Sequence, residues 1–119
     1  MNLKVYIYDK CSTCRKALKF LDENEIQYST IPIREQPPTE PELTAMLEAN
    51  DGELRKLFNT SGMDYRQLNI KEKLGAMTKS EAIALLESNG NLIKRPFGIS
   101  EKVRLIGFKE EIWKTKLDV

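Results

Sequence analysis

The chain has 119 residues, with 19 Lys plus Arg against 18 Asp plus Glu, for a net charge of +1. That length suits one domain, 1–119, and is too short for two comfortable ones. Split at residue 60, the halves carry −2 and +3, neither basic enough to argue a nucleic-acid surface.

A hydrophobic fraction of 40% supplies one core and argues against disorder. The longest uncharged run, Ile26 to Ile33, has eight residues, where a membrane helix needs about 20. Asp9 and Lys10 interrupt the first apolar stretch before a signal-peptide core forms. The expectation is a cytoplasmic protein with no membrane and no direct nucleic-acid partner. The sequence contains no histidine, which excludes Ser-His-Asp, Cys-His and His-ligated metal mechanisms built within this chain. No glycine-rich phosphate loop or dinucleotide fingerprint occurs, so no bound cofactor is expected.

In chain order, Leu3 to Tyr8 is rich in strand formers and predicts a buried strand. Cys14, Ala17, Leu18 and Leu21 then fall at i, i+3, i+4 and i+7, one stripe of a helix ending near Asn24. Ile26 to Ile33 predicts a second strand, completing a β-α-β unit. After Pro37 and Pro38, Thr39-Glu40-Pro41-Glu42 has the form of a capping box. Leu43, Met46 and Leu47 continue that helix, Leu54, Leu57 and Phe58 mark a short one, and Asp64 to Leu68 adds a turn. Thr78-Lys79-Ser80-Glu81 is a second capping box, and Asn89-Gly90 stops its helix. Residues 39–89 are therefore a helical insertion. Phe97 to Ser100 and Val103 to Phe108 predict an antiparallel hairpin, and Lys109 to Lys116 a closing helix. The order β-α-β, inserted helices, β-β-α gives an α/β fold with a four-stranded mixed sheet. It is the thioredoxin plan with helices between its halves.

Cys11-Ser12-Thr13-Cys14-Arg15 occupies the turn from the first strand into the first helix. Free N–H groups and the dipole at a helix start favour a thiolate at Cys11. The flanking Lys10 and Arg15 are expected to lower its pKa further. Cys14, one turn on, suits a resolving thiol, and the same N–H groups suit a bound oxyanion. A single CxxC is also half a zinc site, but no further Cys or His remains to complete four ligands. Two inert, buried cysteines are the other reading. Arg95-Pro96 precedes the first hairpin strand. A proline at a strand start needs no function; alternatively a cis bond before Pro96 shapes the backbone opposite Cys11 and Arg95 faces the anion. Lys94 is expected to be solvated.

Taken together, Cys11 to Ala17, Pro37-Pro38, Leu57 to Gly62, Tyr65 to Leu68, Leu92 to Pro96 and Ile106 to Glu111 resemble the ArsC/Spx group of thioredoxin-like proteins, over essentially the whole chain. The resemblance implies a thiol-disulfide oxidoreductase, an enzyme of the arsenate reductase-like kind using glutathione or glutaredoxin as thiol donor. It gives Cys11 the nucleophile's place and Cys14 the resolving one. Arg15 and Arg95 match two residues of the anion site, with Ser12, Thr13 and Pro96 beside them. Two further arginines of arsenate-reducing members have no counterpart, because their positions hold Asn59 and Gly107. The Spx branch implies instead a redox-switched regulator that binds the RNA polymerase α-subunit, with Gly52 near the contact glycine. The length and the Asn59 to Gly62 segment are most similar to small YffB-like members.

Overall fold

The computed structural model describes residues 2–119. Its centre is β1 (Leu3–Ile7), which runs parallel to β2 (Tyr28–Pro32) and antiparallel to β3 (Phe97–Ile99). β4 (Arg104–Ile106) pairs antiparallel with β3, giving the order β2-β1-β3-β4. The mixed four-stranded sheet and the α/β class are those expected from the sequence.

Period-two alternation along β1 assigns its side chains to two cores. Leu3 and Val5 join Ala17, Phe20 and Leu21 of α1 (Ser12–Glu23) and Trp113 of α6 (Glu110–Leu117). Tyr6 joins the second core, built with Leu43, Met46 and Leu47 of α2 (Glu40–Ala49) and Ala82, Ile83 and Leu86 of α5 (Lys79–Ser88). Both faces of the central strand are thus buried, which is why its sequence is a nearly continuous apolar run.

Both capping boxes form. Glu42 N–H donates to Thr39 Oγ1 and Thr39 N–H returns to the Glu42 carboxylate; Thr78 and Glu81 repeat the pattern. The second strand is shorter than the run Ile26 to Ile33 suggests. Ile26 N–H is committed to Leu21 O at 2.9 Å and Glu25 takes φ 55°, so the helix C-terminal motif consumes the first residues of that run. The last strand is likewise only Arg104–Ile106, because Gly107 takes φ +66° and turns the chain towards α6. The Leu54 segment is a 3-10 turn, Leu54–Leu57, and α3 is Met63–Gln67. A further short helix, α4 (Ile70–Lys73), was not expected. Gly90, read as a helix stop, has a second role: a Cβ there would lie 1.9 Å from Ile33 O. Among the described residues, no helix is long and apolar enough to cross a membrane.

Candidate functional site

The chain leaves β1 through Tyr8, Asp9 and Lys10. Cys11 N–H donates to Tyr8 O at 3.0 Å, which turns the backbone into α1. Cys11 is the N-cap of that helix, and its Sγ accepts the Cys14 N–H at 3.4 Å. The sulfur therefore stands where a Ser or Asp oxygen usually caps a helix, at the positive end of the dipole. Cys11 is half-buried, whereas Cys14, on the buried face of α1, is 1% exposed.

Burial pushes the Cys11 thiol up, but the Cys14 thiol, the Cys14 N–H and the Arg95 guanidinium outweigh it and hold the pKa below the ordinary thiol value. Burial pushes the Cys14 thiol well up, reinforced by the neighbouring Cys11 and only partly offset by the Tyr8 backbone and Arg95. The two thiols are thus shifted in opposite directions, Cys11 down and Cys14 up. The cation that acts on Cys11 is Arg95, not the flanking pair: Lys10 and Arg15 are both exposed.

Cys11 opens into a cleft of about 660 Å³. Thr13 and Arg95 line it, together with Asn59 and Gly107, the two positions that carry arginine in the resemblance. Lys56, Lys94, Lys109 and Lys116 add to its positive wall, and no carboxylate is among its described lining residues. Lys94 is exposed but crosses Gly107, since a Cβ on Gly107 would meet Lys94 Cε at 2.8 Å. Ser12 begins α1 on the exposed side, and neither it nor Arg15 lines the cleft. Pro96 is buried, and the Arg95–Pro96 bond is cis, as expected from the sequence. Arg95 Nη1 is buried and has no hydrogen-bond partner in the described structure.

The far wall is Trp113, 1% exposed, whose Nε1 donates to Gly107 O at 3.0 Å, with Ile112 46% exposed beside it. The apolar pattern of the closing helix does not separate exposed Ile112 from buried Trp113. Sequence reasoning missed Tyr8 and Arg34. The guanidinium carbons of Arg34 and Arg95 lie 4.9 and 5.0 Å from the Tyr8 ring centroid. These residues are distant in sequence, so no local pattern announces the cluster. Among the described residues no three His, Cys, Asp or Glu side chains gather as a metal site.

Known proteins are similar to this chain in sequence and fold. The chain is 50% identical over 111 residues to the uncharacterized protein YusI of Bacillus subtilis, covering 93% of this chain and 94% of that one. It is 29% identical to the global transcriptional regulator Spx of Enterococcus faecalis, over 92% of this chain and 81% of Spx. The crystal structure of a possible arsenate reductase from Streptococcus mutans superposes with a TM-score of 0.87 at 42% identity, covering 98% of each chain. The sequence model of the ArsC family matches residues 6–115. From within β1 to within α6, the cysteine turn and the Arg95 entry to β3 all lie inside that match, and the chain belongs to the ArsC family.

Proposed function

We propose that this protein is a cytoplasmic thiol-disulfide oxidoreductase with glutathione, alone or through glutaredoxin, as its thiol donor. The observation that carries the reading is the split between Cys11, half-buried with a lowered pKa, and Cys14, buried with a raised one. The Cys11 thiolate attacks one sulfur of a mixed disulfide, forming a new S–S bond and expelling the other sulfur as a thiolate. Cys14 then loses its proton and attacks Cys11 Sγ, releasing the second thiolate and leaving a Cys11–Cys14 disulfide. Two glutathione thiols reduce that disulfide and become glutathione disulfide. Arg95 and Thr13, on the cleft wall, take the anion side of the substrate. Pro96 is buried behind Arg95, and Ser12 and Arg15 stand exposed on the same helical turn.

The cleft's lysines favour a substrate bearing carboxylates, such as a glutathionyl group. Arsenate is the weaker candidate acceptor. Asn59 and Gly107 carry no charge, and each missing charged hydrogen bond is worth about 1.5–3 kcal/mol. The test is steady-state turnover with glutathione and glutaredoxin, offering arsenate or a glutathione mixed disulfide. Turnover of the mixed disulfide, abolished in Cys11→Ser, is expected; a Cys11→Ser variant that turns over normally would sink the assignment.

A second reading is favoured by the Spx similarity over 92% of the chain. In it the Cys11–Cys14 pair is a redox switch, and the protein binds the RNA polymerase α-subunit. Gly52 lies in an exposed turn at φ +74°, with nothing within 4 Å of a Cβ built there. Redox-dependent capture of the α-subunit that Gly52→Arg weakens would support this reading. Equal capture before and after reduction would remove the switch.

A further inference from the structure

Arg95 is the charge that acts on Cys11, yet no hydrogen bond in the described structure ties down its Nη1, which is buried. A long side chain with four rotatable torsions and one unpartnered guanidinium nitrogen is not held in one position by hydrogen bonds alone. What stands against it is the ring of Tyr8. Its centroid is 5.0 Å from the Arg95 guanidinium carbon, inside the range in which a cation is drawn to a ring face. The same ring carries Arg34, an exposed residue from the loop after β2, at 4.9 Å. Tyr8 is fixed independently of both arginines: it follows β1, its carbonyl accepts the Cys11 N–H, and its ring packs on the larger core. One residue therefore fixes the backbone turn that presents the Cys11 sulfur and provides the surface on which the Arg95 guanidinium rests.

We propose that Tyr8 is a positioning residue, which with Arg34 stacked on the same ring holds the Arg95 guanidinium beside Cys11. The inference rests on the reading of Cys11 as the nucleophile. The ring acts without touching substrate: it restricts Arg95, and the fixed guanidinium then stabilises a negative charge on the Cys11 sulfur. Other charged or titratable groups around the sulfur are Cys14 of α1 beneath it and, across the cleft, Lys56, Lys94, Lys109 and Lys116. Side-chain changes at Tyr8 or Arg34 leave the four lysines and the Tyr8 carbonyl in place, and Cys14 senses them only through Arg95.

The test is the pH profile of Cys11 alkylation in the full chain, read by mass spectrometry at each cysteine. It compares Tyr8→Leu, Tyr8→Phe, Arg34→Ala, Arg95→Ala and the Tyr8→Leu/Arg95→Ala pair. Tyr8→Leu should move the midpoint upward and slow alkylation at neutral pH by roughly three- to tenfold, half a unit to one unit of pKa. Tyr8→Phe keeps the ring and should restore the profile. Arg34→Ala should slow the reaction by about twofold, the smaller effect of an exposed cation–π partner. In the Arg95→Ala background, Tyr8→Leu should add nothing further.

A folded Tyr8→Leu with an unshifted midpoint would overturn the proposal, and so would effects of Tyr8→Leu and Arg95→Ala that simply add. If Tyr8→Leu does not fold, Arg34→Ala decides, because it removes an exposed side chain from no packed core; an unchanged profile there is equally fatal. Alkylation requires no turnover, so failure of the proposed enzymatic activity leaves this test standing. Full activity with an indifferent Tyr8 would defeat only this inference.

Discussion

The hydroxyl of Tyr6, in the middle of β1, donates to Glu42 Oε1 at 2.6 Å, and the same carboxylate caps α2 through Thr39 N–H. Lys4 pairs with its other oxygen. One half-buried carboxylate thus joins the central strand to the start of the inserted helices. Replacing Glu42 with Ala removes the cap and leaves Tyr6 Oη without its acceptor, so a loss of about 2–3 kcal/mol is expected in urea unfolding. Burial pushes the Glu42 carboxyl up, but Lys4, Tyr6 and Thr39 together hold it below the usual carboxylate range. A depressed pKa stabilises the fold above the unfolded value and is lost as pH falls through the folded one. Stability should therefore drop below about pH 4, and Glu42→Gln should flatten that part of the profile.

The two cysteines should react unequally. At neutral pH, iodoacetamide should label Cys11 and leave Cys14 untouched in the folded protein, because thiolate fraction and access both favour Cys11. Peptide mass mapping checks it. Equal labelling would contradict the split that carries the proposed chemistry.

Gly90→Ala should be among the most damaging single-methyl additions in the chain. Its Cβ would sit 1.9 Å from Ile33 O and 2.8 Å from the same carbonyl carbon, backbone atoms with no side-chain freedom to yield. A cost of about 3 kcal/mol or more, the upper range of overpacking, should appear as a lowered Tm.

Gly107→Ala meets a softer neighbour. The conflict is with Lys94 Cε, the far part of a flexible side chain, while the φ of +66° costs a non-glycine residue about 1–2 kcal/mol. We expect a stability loss of that size, together with weaker retention of anionic thiols as Lys94 is pushed off the cleft. Thermal melting and competition by glutathione against Cys11 alkylation measure the two effects separately. An unchanged competition constant would show that Lys94 takes no part in holding the anion.

Features decided by neighbouring residues were legible in the sequence. Thr39 with Glu42 and Thr78 with Glu81 sit three residues apart and cap their own helices, and the strand-Cys11-helix junction depends on one local change of period. Strand ends were less legible, because Ile26 could serve a strand or the end of α1 and its hydrogen bond to Leu21 chose the latter. α4 follows Asn69 at φ 53°, a conformation that no spacing of apolar residues signals, and only Ile70 of that helix is buried. The site divides the same way. Cys11 and Arg95 were singled out by motif and resemblance, but that they line one cleft depends on sheet pairing that brings β3 beside β1. The stacking of Arg34 and Arg95 on Tyr8 joins three distant segments and exists only once the sheet has formed.

Trp113 has a consequence outside binding chemistry. It is the one tryptophan of the chain, held edge-on against Phe108 and Phe20 with its indole N–H bound to Gly107 O, and it forms a wall of the Cys11 cleft. Its emission is therefore a built-in optical gauge, with no labelling required. A blue-shifted signal reports the intact core between β1, α1 and α6, and a change of intensity on adding a ligand, with the wavelength unmoved, reports occupancy of the cleft. Folding and binding can be followed on one sample through one side chain.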